Sequence, residues 1–204
     1  MKKNEIKLII FDAYGAVMSR GYPDTMAVLA KRFAIPEKKL SEVIYRKYFE
    51  MAAQRQITQK QAWQLPVKEL NLPISWQELR DLHYGLMEIN QPVFEIAKKL
   101  RKKYKVIILS KSTRTQFVDV LKKKHPQVPR NFDAIVNTWE LGLPKASKET
   151  ISFLAKRFKI SPKEILYIDD QRSNLVALDK MGGKTIYYQN FKQFKKELEH
   201  YIDL

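Results

Sequence analysis

A chain of 204 residues is long enough for one well-packed α/β unit, or for such a unit carrying a smaller insertion. With 45% hydrophobic and 29% charged residues it falls among ordinary globular chains, and no apolar run reaches the length that spans a bilayer. Cysteine is absent, which excludes disulfides and thiolate metal sites; any metal must be a hard cation on oxygen ligands or sit on one of three histidines.

The net charge of +16 raises the possibility of a nucleic-acid partner. Much of the excess lies in KKLRKKYK, from Lys98, and LKKKH, ending at His125, at the ends of two expected helices where cations favour the helix dipole. Aromatics are not interleaved there as a base-stacking surface requires. The expectation is a solvated basic face remote from the active site, with at most weak, non-specific nucleic-acid binding and no membrane association.

Along the chain, Ile6 to Phe11 (IKLIIF) reads as a buried strand stopping at the turn Asp12-Ala13-Tyr14-Gly15. Met1 to Glu5 lead into it with no small-residue cleavage site, so a cytoplasmic protein is expected. From about Pro23 to Glu88 the spacing turns helical, in TMAVLAKRF, KLSEVIYRKYFEM and WQELRDLHYGLM. Thr58 with Gln61, and Ser75 with Glu78, are spaced as capping boxes, and Pro66 should kink or end the helix begun near Thr58. Three or four inserted helices follow from this.

After Pro92 helices and strands alternate: helix Val93 to Lys103, strand Val106 to Leu109, helix Arg114 to Lys124, and a short strand near Phe132 to Val136. Helix Ser147 to Phe158, strand Ile165 to Ile168, helix Asn174 to Met181, strand Lys184 to Tyr188 and helix Phe191 to Ile202 complete the series, with a capped turn at Ser161-Pro162-Lys163-Glu164. Such alternation implies a doubly wound parallel sheet with right-handed crossovers. The expected division is a core of residues 1–19 and 89–204 around an all-helical insert of residues 20–88.

In a doubly wound sheet the ligand site lies beyond the carboxyl ends of the strands. Asp12 closes the first strand, Ser110-Lys111-Ser112 the second and Asp169-Asp170 the Ile165 strand, while Lys145 follows the turn Leu141 to Pro144. Three converging carboxylates repel unless a cation neutralises them, and without thiolates or nearby histidines that cation should be Mg²⁺. A carboxylate beside such an ion can attack phosphorus, with Lys145 screening charge and Ser110 donating to a phosphoryl oxygen. Lys111, Ser112 and Arg114 stand where they could meet an anionic substrate, and Arg20 stands at the entrance to the insert. Trp63, Trp76 and Trp139 read as packing residues, and His83, His125 and His200 lack metal-site spacing.

IIFDAYGAV, VIILSKS, ELGLPKASKE and ILYIDDQRSN, in that order, resemble the motifs of the haloacid dehalogenase (HAD) superfamily, in the subgroup with a helical cap after the first strand; RQITQKQAW resembles a cap-helix start of that subgroup. The resemblance covers nearly the whole chain. It implies a HAD-like α/β core of about five parallel strands, Asp12 as nucleophile, Ser110 as phosphate-binding hydroxyl and Lys145 as electrostatic anchor. It also implies Asp169 and Asp170 as Mg²⁺ ligands or their supports, a metal-facing Tyr14 carbonyl, and Asn174 as a steadying residue. Two positions depart from the pattern. Tyr14 replaces the second aspartate that usually serves as general acid and base, and Ala16 stands where Thr or Val is usual. The implied activity is slow Mg²⁺-dependent hydrolysis of small phosphate monoesters. The alternatives are 2-haloacid dehalogenation, which an aspartate-any-tyrosine-glycine start resembles, and a catalytically degenerate domain binding a ligand or RNA.

Overall fold

The structure, a computed structural model, describes residues 6–111 and 117–202. Its centre is a parallel sheet of Leu8–Asp12 (β1), Lys105–Ser110 (β2), Ala134–Asn137 (β3), Ile165–Asp169 (β4) and Lys184–Tyr187 (β5), ordered β3-β2-β1-β4-β5. Among the described residues, the helices of eight residues or more are Tyr22–Phe33 (α1), residues 37–53 (α2), Gln59–Glu69 (α3), Trp76–Gly85 (α4), Gln91–Leu100 (α5), Phe117–Lys124 (α6), Lys148–Phe158 (α7), Arg172–Lys180 (α8) and Phe191–Tyr201 (α9). The middle of α2, Ser41–Phe49, and the whole of α6 are π-helical.

The strand β1 is apolar on both faces because both are covered. Leu8 and Ile10 pack with Ile107, Leu109 and Tyr167 under α7 and α8, and Ile9 and Phe11 pack with Ile108 and Ile168 under α5 and α9. A run such as LIIF, apolar without alternation, is what a central parallel strand demands. Phe11 meets Phe132 and Phe194 edge-on at 6.4 and 6.1 Å. Because the chain leaves β1 for β2 and β3 on one side and returns to β4 and β5 on the other, the switch in strand order falls at the carboxyl end of β1, where Asp12 stands.

Helices α1 to α4, between β1 and α5, share their own apolar cluster built on residues such as Leu29, Leu40, Ile44, Trp63 and Leu79. Both expected capping boxes form: Gln61 N donates to Thr58 Oγ1 at 3.2 Å while Thr58 N donates to Gln61 Oε1 at 2.9 Å, and Ser75 and Glu78 repeat the exchange. Pro66 does not end its helix. It is buried in the final turn of α3, which runs on to Glu69, and its carbonyl accepts from Leu70 N at 3.0 Å. A proline there removes one N–H late in the helix, and burial of its ring offsets that loss.

Residues 13–19 and 86–90 carry the chain out of the sheet and back. They are tied together by Ser19 N to Glu88 O at 2.8 Å, Asn90 N to Val17 O at 2.9 Å and Asn90 Nδ2 to Ala16 O at 2.9 Å. The basic segments separate here. Arg101 bonds Asp133 and the Arg130 carbonyl beside the amino end of β2, on the edge opposite Asp12, as the sequence suggests. Lys124 departs from that expectation. Its Nζ reaches the carbonyls of Tyr84, Gly85 and Met87 and the Glu88 carboxylate at 2.7–3.2 Å, so it clamps the return linker. The end of α4 leaves carbonyls without helical partners, and a lysine is drawn to them. Among the described residues no helix is long and apolar enough to cross a membrane.

Candidate active site

Strand β1 delivers Asp12 and β4 delivers Asp169 and Asp170 to neighbouring points on one edge, with Phe11 paired to Ile168. Lys145 reaches the same point from the turn before α7, which is fixed by Ser147 capping the helix and by Thr150 Oγ1 donating to Pro144 O at 2.7 Å. Lys145 Nζ lies 2.6 Å from Asp12 Oδ1 and 2.8 Å from Asp169 Oδ2. The three aspartates each offer an oxygen within 4.8 Å of the others.

Asp169 and Asp170 have different surroundings. Asp169, with no exposed surface, accepts from Tyr167 Oη at 2.7 Å, from Gln171 N at 2.8 Å and from Asn174 Nδ2 at 3.0 and 3.1 Å, besides its contact with Lys145. Its lone pairs are committed. Asp170 Oδ1 is buried with no hydrogen-bond partner among the described residues. Asp170 presses against Gly15, where a Cβ would stand 2.1 Å from Asp170 Oδ2; Gly15 also holds φ +95°, a conformation that favours glycine. The Tyr14 carbonyl receives no backbone hydrogen bond among the described residues.

One ammonium among three carboxylates leaves an excess of negative charge. Burial, followed by the charges of Asp169 and Asp170 and opposed by Lys145, raises the Asp12 carboxyl well above the ordinary carboxylate range. Asp170 is raised too, first by burial and then by Asp169. Burial disfavours the Lys145 ammonium, but Asp12 and Asp169 outweigh it and hold its pKa above normal. A divalent cation seated among Asp12, Asp170 and the Tyr14 carbonyl would remove the repulsion and satisfy the orphaned oxygen, so these residues fit Mg²⁺.

A cavity of about 330 Å³ opens above Asp12, Lys145 and Asp170 and is roofed by α1 and α2. Tyr14, Arg20, Lys111 and Asn174 also reach it. The Tyr14 phenol is buried without a hydrogen-bond partner among the described residues, and burial, with Tyr84 and Asp12 nearby, keeps it neutral. Lys111 Nζ sits 2.5 and 2.6 Å from the two carboxylate oxygens of Glu50 in α2. Ser110, fully buried at the end of β2, lies one strand from Asp12 but does not line the cavity. Ser112 and Arg114 lie outside the described residues.

Several residues of the site were not singled out from the sequence. Gly15 is legible in hindsight as a glycine in the turn after a strand-ending aspartate. Tyr167 alternates with Asp169 on β4 and so points to the same face. Tyr45 and Phe49 read only as core residues of a helix, although Ser41, Tyr45 and Phe49 recur every four residues and all reach the cavity.

A family model described as haloacid dehalogenase-like hydrolase matches residues 6–182. Bifunctional epoxide hydrolase 2 of Rattus norvegicus is 26% identical over 114 residues, which is 54% of this chain and 21% of that protein, so the match spans about a fifth of the relative's length. A HAD family enzyme from Bacteroides thetaiotaomicron, solved in complex with magnesium and inorganic phosphate, aligns with a TM-score of 0.70 at 18% identity over 90% of this chain and 94% of its own. A structure described as a dehalogenase aligns with a TM-score of 0.69 at 19% identity, covering 89% and 84% of the two chains. Likeness at these identities shows a shared fold. The family match, spanning most of the chain and containing Asp12, Lys145, Asp169 and Asp170, shows that this protein belongs to the haloacid dehalogenase-like hydrolases.

Proposed function

We propose that this hydrolase cleaves small phosphate monoesters with Mg²⁺ as cofactor, through an aspartyl-phosphate on Asp12, residues 20–88 forming a cap over a core of residues 1–19 and 89–204. The observation that supports it most is the buried, unpartnered oxygen of Asp170 in a cluster of three carboxylates facing one lysine. That cluster is poorly balanced for a metal-free reaction. The Bacteroides enzyme of the same fold was solved with magnesium and inorganic phosphate, which suits this reading.

Asp12, Asp170 and the Tyr14 carbonyl would hold the ion, which when bound neutralises the carboxylates and the phosphate charge. The committed lone pairs of Asp169 make it a positioning residue for Lys145 and for the turn entering α8. An Asp12 carboxylate oxygen attacks phosphorus, and the ester oxygen leaves with the electron pair of the broken P–O bond and takes up a proton. Water then attacks phosphorus, restoring the Asp12 carboxylate and releasing inorganic phosphate. Lys145 favours the ionised nucleophile. Ser110 is assigned to a phosphoryl oxygen, which its buried hydroxyl, one strand from Asp12 and outside the cavity lining, would meet only by turning toward Asp12. Lys111 and Ser112 are assigned to the substrate side, with Lys111 shared with Glu50. Tyr14 cannot shuttle protons as a carboxyl group does, so turnover is slow where the leaving group needs protonation.

Dehalogenation of a 2-haloacid by Asp12 is a second reading, favoured by Tyr14, since a departing halide needs no proton. Assays of phosphate release from an aryl phosphate and of halide release from 2-chloropropionate, each with and without Mg²⁺, separate the two. Mg²⁺-dependent phosphate release that is lost in Asp12→Asn is expected. Halide release independent of Mg²⁺, with no phosphate release, would replace the phosphatase assignment by the dehalogenase one.

A further inference from the structure

The roof of the cavity narrows the substrate class, and this step rests on the phosphatase reading above. Facing Asp12 and Lys145 are Tyr22 from α1 and Tyr45 and Phe49 from α2, with Met26 and Met87 beside them. The three rings form one cluster: centroids lie 4.9 Å apart for Tyr22 and Tyr45, 4.8 Å for Tyr22 and Phe49, and 5.4 Å for Tyr45 and Phe49, the last pair stacked at 18°. The π-helical stretch of α2 brings Ser41, Tyr45 and Phe49 to the same wall, and π-helical turns are frequent at functional sites.

Glu37, Ser41 and Arg46 of α2 also line this roof and offer polar partners, but a sugar or polyol hydroxyl set against the faces of Tyr22, Tyr45 and Phe49 would lose its hydrogen bonds there and weaken binding. An aromatic ring loses no hydrogen bond there, gains from apolar burial, and can take offset or edge-on contacts with Tyr22, Tyr45 and Phe49. The volume of about 330 Å³ is at the small end for ligand pockets, enough for a single ring and a phosphate but not for a dinucleotide or a folded partner.

We propose that the cavity selects phosphate monoesters of small aromatic alcohols or phenols, with the phosphate at Asp12 and Lys145 and the ring held by Tyr22, Tyr45 and Phe49. The chemistry at the floor agrees, because a phenol-type leaving group makes little demand on the proton donor that Tyr14 does not provide.

The test is binding, read by calorimetry on the whole chain at millimolar Mg²⁺, with inorganic phosphate, methylphosphonate and phenylphosphonate, whose C–P bonds leave them intact. Phenylphosphonate is expected to bind at least tenfold more tightly than methylphosphonate. Tyr45→Ala and Phe49→Ala should each remove most of that advantage while leaving the methylphosphonate Kd within about twofold. Phe49→Leu serves if Phe49→Ala does not fold, and should lose part of the advantage. Equal affinity for the two phosphonates, alongside binding of inorganic phosphate, would overturn the aromatic selection and leave the phosphatase reading standing. An advantage that survives both alanine variants would also overturn it. Failure of all three ligands to bind would remove the phosphatase reading and this proposal together.

Discussion

Arg55 lies over the indole of Trp139, its guanidinium carbon 4.8 Å from the ring centroid, and donates to the Trp139 carbonyl, while Trp139 Nε1 returns a hydrogen bond to the Ala52 carbonyl at 3.2 Å. This contact joins the end of α2 to the segment between β3 and Lys145. With the Glu50–Lys111 pair it forms a second attachment of the inserted helices, apart from the two linkers. Arg55→Ala removes the stacking and the main-chain bonds together, a loss of about 1–2 kcal/mol for a contact of this exposure. Hydrogen exchange should quicken at residues 50–56 and 138–142 while the sheet stays protected. Unchanged exchange in both segments would show that the linkers alone hold the roof in place.

Gly15→Ala tests the seat of Asp170. The added Cβ cannot coexist with a carboxylate oxygen 2.1 Å away, and alanine at φ +95° is strained by about 1–2 kcal/mol. Asp170 must move. The expected result is a folded protein whose Mg²⁺ affinity, measured by calorimetry, falls at least tenfold; wild-type affinity in this variant would place the ion away from Asp170.

Adjacent aspartates should respond in opposite ways. Asp169→Asn breaks a buried ion pair with Lys145 and unsettles the donors from Tyr167 and Asn174, so it should cost about 3–5 kcal/mol of stability. Asp170→Asn exchanges a repelled, half-buried carboxylate for a neutral amide. Without Mg²⁺ its stability should stay within about 1 kcal/mol of wild type, or rise. With Mg²⁺ it should lack the upward shift in Tm that the wild type shows by mass action. Thermal melts of both variants, with and without Mg²⁺, check the pair; an equal loss of stability in the two would contradict the division of labour between Asp169 and Asp170.

The sheet was legible because its signals are local: LIIF and ILYI are apolar without alternation, and each stops at an aspartate that the parallel topology places on one edge. The capping boxes were legible for the same reason. What the sequence did not reveal depends on contacts across long separations. Nothing near Lys124 announces that it will clamp carbonyls 37–40 residues earlier in the chain. Nor does the DD pair disclose which aspartate is saturated, because Tyr167, Asn174 and Lys145 decide that from three different elements. Pro66 shows the converse: a strong local signal for helix ending gave way to the burial of its ring.

His83 gives a pH signature that is separable from the carboxylate cluster. The ring is fully buried against Tyr22, Trp63 and Tyr84, at centroid distances of 4.2, 5.2 and 5.7 Å, and none of these neighbours is charged at neutral pH. Its Nδ1 is 2.7 Å from Thr25 Oγ1, whose own proton goes to the Gly21 carbonyl at 3.0 Å, so Nδ1 carries the hydrogen of a neutral ring. Burial lowers the pKa of His83 from 6.5 to about 3. Between those values the unfolded chain binds the proton and the native protein does not, so this group's contribution to stability falls as the pH drops below 6.5, by about 1.4 kcal/mol per unit. Asp12 opposes it, since a raised carboxyl pKa makes the native protein the better proton binder on the acid side. Comparison with His83→Gln, which keeps an amide donor for Thr25, cancels the Asp12 contribution. The difference in unfolding free energy between wild type and this variant should shrink by about 2 kcal/mol between pH 7.5 and 5, measured by urea denaturation at each pH. A difference that does not change over that range would mean that His83 is protonated as readily in the folded protein as in the unfolded chain.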